Sequence, residues 1–239
     1  MLNIGVIIIV AVSSVVKGVT GLGFTLLSFP LLLIWYTPKE IIPVLTVCNL
    51  IGSLMIVLQK KEKQLIDKNS YILIGVGAVF TILGVVALSS TDGTWLVRGA
   101  GIVFIILTIL AFWGRKSEKK DFKTSVYAIV GMLIGFLAGA VSVSGPPLVL
   151  FLNKINVSNL AFREITATFN LITAIIAVIG YWKADMFNEQ SIKLILIFAP
   201  ILFLGTIVGK KINTAISVSS FQILNIVITL FASIMFILH

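Results

Sequence analysis

Glycines, hydroxyls and prolines concentrate in two short stretches of this chain. The first holds Gly18, Thr20, Gly21 and Gly23, followed by Thr25 and Ser28; the second holds Ser142, Ser144 and Gly145, followed by Pro146 and Pro147. Where a helix begins, unpaired backbone N–H groups point outward and the helix dipole favours negative charge. Glycine lets a ligand come close to that backbone. After the first stretch, Gly21, Thr25 and Ser28 stand at i, i+4 and i+7, a single helical face with two hydroxyl donors. After the second, Ser142 and Ser144 precede a helix start at Gly145. Both patterns suit the capture of a small anion; the competing use of such residues is close helix packing.

Downstream of each stretch comes a polar trio at helical spacing, Thr46, Asn49 and Ser53 in one case and Thr166, Asn170 and Thr173 in the other. Each trio shares a face. An Asn inside an apolar helix needs a partner, so Asn49 and Asn170 either line a pathway or hydrogen-bond between helices. Arg163, beside Glu164 and just after Ser158, offers a planar donor fork that could gate anions; the bland alternative is an interfacial orientation signal. Lys17 has a weaker claim, because a lysine can run its stem along apolar surface and place its charge in water. Gly205 and Gly209 read as a packing face.

Other chemistries lack their residues. Hydrolysis or group transfer needs a nucleophile with a general base, or a metal site. The chain has one Cys and one His, Cys48 and the terminal His239, and no carboxylate falls mid-segment. No catalytic residue, metal site or cofactor is therefore expected, and the chain reads as a non-enzyme. Carboxylates of the kind that couple carriers to protons or sodium are missing from the segment interiors as well.

The elements that must position these residues follow from composition. Hydrophobic residues make up 59% of the 239 and charged ones only 11%, with a mean hydropathy of +1.14. A soluble domain carries about 25% charged residues; the excess of apolar surface here belongs in hydrocarbon. The net charge of +9 sits in short clusters between apolar runs, which reads as membrane orientation and not as nucleic-acid binding. Met1, Leu2 and Asn3 lack the basic residues of a cleaved signal peptide.

Ten apolar segments are expected, at 2–17, 21–36, 40–59, 70–90, 93–114, 125–143, 145–154, 159–182, 191–212 and 219–238. Gly18, Gly21 and Gly23 break the first from the second, and Gly145, Pro146 and Pro147 break the sixth from the seventh. The short arms 21–36 and 145–154 read as half-helices or re-entrant arms. Non-helical backbone at membrane depth persists only where protein or a water-filled cavity satisfies it, so two breaks imply a shared polar centre.

The two halves echo each other at a spacing of 121 residues, pairing Gly18 with Gly139, Thr37 with Ser158, Asn49 with Asn170 and Gly84 with Gly205. An odd number of segments per half makes the second half inverted, as in transporters built on broken helices. The fold class expected is an all-α polytopic membrane protein of two inverted five-segment repeats whose broken helices meet near the membrane centre. The division is 1–114 for the first half, 115–124 for a cytoplasmic linker and 125–239 for the second half. One orientation places fourteen of the 18 Lys and Arg inside, leaving Lys39, Arg98, Lys183 and Lys193 outside. By the positive-inside bias, both termini then face outside a cell (inner) membrane.

The run from Gly18 to Leu31 (Gly-Val-Thr-Gly-Leu-Gly-Phe-Thr-Leu-Leu-Ser-Phe-Pro-Leu) resembles the first signature of the sulfite exporter TauE/SafE family, a glycine-rich run followed by Pro-x-Leu. Ser144 to Leu152 (Ser-Gly-Pro-Pro-Leu-Val-Leu-Phe-Leu), with Phe162 to Asn170 (Phe-Arg-Glu-Ile-Thr-Ala-Thr-Phe-Asn), is similar to that family's Ser-Gly-Pro-Pro branch. The resemblance implies export of small sulfur-containing or organic anions such as sulfite, sulfonates or sulfolactate-like compounds. The expected partners are a small anionic substrate and the lipid bilayer, not nucleic acid, with a homo-oligomer left open. The competing readings are an anion channel or uniporter for an unrelated substrate, and a membrane assembly subunit that transports nothing.

Overall fold

The computed structural model describes residues 3–20, 23–58, 66–113, 122–155, 157, 159–213, 227 and 230–237. Nine helices follow one another: α1 Ile4–Thr20, α2 Gly23–Leu32, α3 Pro38–Leu58, α4 Lys68–Ser90, α5 Thr94–Trp113, α6 Thr124–Val141, α7 Gly145–Lys154, α8 Asn159–Lys183 and α9 Glu189–Asn213. A tenth helical stretch, α10, covers 230–237. No strand occurs among the described residues. Five stretches are long and apolar enough to cross a bilayer: Pro38–Leu58, Lys68–Ser90, Thr124–Val141, Glu164–Lys183 and Glu189–Gly209. Helices α2 and α7, of 10 residues each, are half the length of a crossing.

Local signals start the helices. Thr37 N–H donates to Glu40 Oε2 at 2.8 Å, the reach-back of a capping box before α3. Asp67 caps α4, accepting the Ser70 N–H at 3.1 Å, and Asn188 accepts the Ser191 N–H at 2.8 Å at the start of α9. Ser158, the hydroxyl expected to play the Thr37 part in the second half, lies outside the described residues.

Lipid offers no hydrophobic drive for one apolar helix to join another, so close approach of backbones decides which helices pair. Two pairs dominate. On α6, Gly131, Gly135 and Gly139 meet α4 backbone at Leu73, Gly77 and Thr81, and Gly84 of α4 meets Phe136 and Ala140 in return. On the other side, Gly18 of α1 lies on Thr206 and Gly209 of α9, and Gly205 lies on Ser14 and Val15. At each of these positions an added Cβ would collide with neighbouring atoms, most of them backbone.

Gly18 was expected in the first break. It is instead inside α1, which continues to Thr20; its missing side chain serves the contact with α9. Residues 21–22, between α1 and α2, lie outside the described residues. Gly205 and Gly209 behave as the packing face their spacing suggests.

The bundle's outward surface is apolar. Val79, Ile82, Leu83 and Val86 on α4 and Leu196, Phe203, Leu204 and Val208 on α9 are exposed, while Ser13, Ser14, Lys17, Ser28 and Thr81 are fully buried. Polar groups inside and apolar groups outside is the inverse of a water-soluble surface, and it matches a lipid solvent. Helices α3 and α8 pack against each other and bring Asn49 to Thr25 and the Ser142 carbonyl and Asn170 to Ser144.

Candidate functional site

The second break is fully described. Helix α6 ends at Val141, and Ser142 takes a left-handed conformation (φ 57, ψ 21) while its N–H donates to the Ala138 carbonyl. A non-glycine residue in this region is uncommon; here it turns the chain so that Ser144 precedes α7. Pro146 and Pro147 occupy the first turn of α7, where a missing N–H costs nothing. The Leu148 N–H donates to the Ser144 carbonyl at 3.4 Å. Of the first four positions of α7, only Gly145 therefore retains an N–H for a ligand. The prolines fix the turn and at the same time thin out the donor array that the position suggested.

Ser144 Oγ donates to Asn170 Oδ1 of α8 at 2.5 Å. Asn49 of α3 is the wider connector. Its Nδ2 donates to Thr25 Oγ1 on α2 at 2.7 Å and approaches the Ser142 carbonyl at 3.4 Å. Its Oδ1 accepts from Lys17 Nζ on α1 at 2.7 Å. One amide thus touches both interrupted regions. Of the two readings for these asparagines, interhelical hydrogen bonding is what each makes, and the partners it bonds are the breaks themselves.

Several expected donors are already engaged. Ser28 Oγ donates to the Phe24 carbonyl at 2.7 Å, Thr46 Oγ1 to Ile42 at 2.8 Å and Thr173 Oγ1 to Phe169 at 2.8 Å. Each is a bond to the residue four back, the ordinary way a hydroxyl is satisfied inside an apolar helix. Of the two hydroxyls on the face shared by Gly21, Thr25 and Ser28, Ser28 is committed to its own helix and Thr25 accepts from Asn49. Thr166 differs: its Oγ1 is buried with no partner, one turn before Asn170.

A model of the family described as Sulfite exporter TauE/SafE matches residues 6–236. The chain belongs to that family. It is thus a multi-pass membrane transporter and not an enzyme. No curated protein and no solved structure matches it.

In this TauE/SafE chain the structure brings Thr25, Asn49, Ser142, Ser144, Gly145 and Asn170 together, with Thr166 one turn from Asn170. Gly23 opens α2. Gly21 and the side chain of Thr20 lie outside the described residues, and so does the side chain of Arg163, whose backbone is in the second turn of α8. No group of three or more His, Cys, Asp or Glu side chains able to hold a metal occurs among the described residues.

Sequence reasoning misjudged Lys17. It does not run its charge out to water: the side chain is 0% exposed. Its stem lies across Gly52 of α3, where a Cβ would occupy the position of Lys17 Cε. The available signal was a glycine one turn after Asn49 on the Lys17-facing side of α3, but nothing local ties residue 52 to residue 17.

Proposed function

We propose that this TauE/SafE transporter exports small sulfur-containing or organic anions, such as sulfite, sulfonates or sulfolactate-like compounds. The anion sits between the two breaks, where Thr25, Ser142, Ser144, Gly145, Asn49, Thr166 and Asn170 converge, with Thr20, Gly21 and Gly23 on the α1–α2 side. Arg163 gathers anions at the inner mouth. The observation that carries this reading is Asn49, bonded to Thr25 at 2.7 Å and 3.4 Å from the Ser142 carbonyl. A polar group joining two helix interruptions is where a bilayer-embedded chain can hold a charged ligand, since only there are backbone groups free of lipid.

Two inverted halves, 1–114 and 125–239 about a cytoplasmic linker at 115–124, fit the same reading. In its support, the glycine contacts of α1 with α9 recur 121 residues away in those of α6 with α4, Gly18 answering to Gly139 and Gly205 to Gly84. With both termini outside, the basic loops face a negative interior. An anion leaving that interior gains about 2.3 kcal/mol per charge per 100 mV, enough to drive export without a coupling ion.

Purified protein in liposomes tests the proposal. Sulfite, methanesulfonate and sulfolactate should each cross faster than in empty liposomes, with the direction set by an imposed potential. Gly145→Leu and Gly23→Leu should abolish that flux while the proteins still insert, because a bulky side chain blocks approach to the backbone. Flux unchanged in both variants, or no anion flux in the parent, would overturn it.

A further inference from the structure

Lys17 is the only Lys or Arg buried completely among the described residues. Removing an ion from water costs several kcal/mol unless partners compensate it, and an ionisable side chain inside a membrane protein marks a functional position by default. The compensation visible here is incomplete. Asn49 Oδ1, at 2.7 Å, is a neutral acceptor and takes one of three N–H donors. Lys193 and Glu189 pair at 2.5 Å on the exposed first turn of α9, away from Lys17. Among the described residues of α1, α2 and α3 the one acidic side chain is Glu40, at the start of α3, where it accepts from Thr37.

Position supplies the second observation. Asn49 hands on from Lys17 to Thr25 and to the Ser142 carbonyl, so the lysine lies on the polar chain between both breaks. At the corresponding place in the second half, 121 residues on, stands Ala138. The two halves therefore differ in charge at this position, and Gly52 clears the groove in which the Lys17 stem lies.

We infer that Lys17 is the charge anchor of the transported substrate: its ammonium holds the oxygens of a small oxyanion between the breaks and sets the preference for anions over neutral molecules of equal shape. This rests on the anion-export reading and adds the residue that recognises the charge. Asn49 and Gly52 are positioning residues, one orienting the ammonium and the other making room for the stem. Sulfonate, sulfite and carboxylate heads share the compact, negatively charged oxygens that such a site accepts, and the remaining N–H donors of Lys17 point to charge-assisted bonds with them.

The test compares methanesulfonate with dimethyl sulfone, a neutral molecule of nearly the same shape. Thermal stabilisation of detergent-purified protein reads binding, and liposome flux reads transport, for the parent, Lys17→Met, Lys17→Arg and Gly52→Ala. The parent should respond to methanesulfonate and not to dimethyl sulfone. Lys17→Met should weaken the apparent affinity about ten- to a hundredfold, the range for loss of a hydrogen bond to a charged group, and Lys17→Arg should recover part of it. Gly52→Ala keeps the charge but displaces Lys17 Cε, a flexible side-chain end, so it should weaken anion affinity in a protein that still folds. A merely structural lysine would change the unfolding temperature and leave the anion-to-neutral preference intact. Parental affinity in Lys17→Met overturns the inference; if that variant does not accumulate, parental affinity in Gly52→Ala does. A parent that transports sulfite and methanesulfonate while Lys17→Met matches it sinks this inference alone. A parent that carries neither sinks the export reading and this inference with it.

Discussion

Ser144 Oγ donates to Asn170 Oδ1 at 2.5 Å, tying the residue before α7 to the middle of α8. Both side chains are more than nine-tenths buried. The bond therefore holds the turn between α6 and α7 against the helix that follows it, and any movement of one drags the other.

That coupling is measurable. Ser144→Ala and Asn170→Ala should each lower transport, and the double variant should lose less than the sum of the two, with an interaction energy of about 0.5–1.5 kcal/mol for a neutral hydrogen bond. The readout is a double-mutant cycle on apparent substrate affinity in liposomes. Strict additivity would mean that the two residues act separately.

The glycines divide by what surrounds them. Gly139→Leu and Gly205→Leu should destabilise the protein strongly, since the added atoms meet Thr81 and Ser14 on the facing helices. Gly75→Ala and Gly99→Ala meet open space and should be neutral or stabilising by about 0.5–1 kcal/mol, the gain from replacing a helical glycine. Thermal unfolding in detergent separates the two groups; equal effects in all four would show that backbone approach does not hold the bundle.

Orientation is open to chemical labelling. In a Cys48→Ala background, single cysteines at 60–68, at 115–124 and at 210–211 in the last turn of α9 should be protected from an impermeant thiol reagent in intact cells. Cysteines at 183–189 and at both termini should react. Cys48 is a free, fully buried thiol, and alanine removes its reactivity while adding no bulk to the core. Labelling of 115–124 from outside would reverse the assigned topology.

Arg163 tests the inner mouth. Arg163→Ala should lose most flux, and Arg163→Lys should be intermediate, because it restores charge without the planar fork. Apparent affinity should change more than protein abundance across a substrate titration normalised to protein amount. Parental flux in Arg163→Ala would reduce this arginine to an orientation signal and leave recognition to the residues between the breaks.

The helices were largely legible beforehand because lipid imposes a simple rule on a chain: apolar length. The expected segment 125–143 became α6 over Thr124–Val141 and 145–154 became α7 over Gly145–Lys154, since two adjacent prolines after a glycine cannot continue a helix but can begin one. Asn49, Asn170, Ser144 and Thr25 were conspicuous for a related reason, as polar groups in apolar segments require partners. Which partners they take was not readable. Ser28 and Thr25 sit three residues apart on one short helix, yet Ser28 bonds to its own backbone and Thr25 accepts from α3.

The sequence by itself determined that the chain is helical, membrane-embedded and interrupted before Gly145, because hydropathy, glycine and proline act through local backbone physics. Only the tertiary structure decided the fates of Gly18 and Lys17. Gly18 could equally have opened a break or closed on a neighbour, and the backbone of α9 at Thr206 and Gly209 settles it as a contact. Lys17 could have reached for water or turned inward, and its direction depends on a groove at Gly52 and an acceptor on Asn49. Those groups lie more than thirty residues away in the chain, and no local preference encodes a side chain's choice between solvent and a partner that arrives only when α1 and α3 pack.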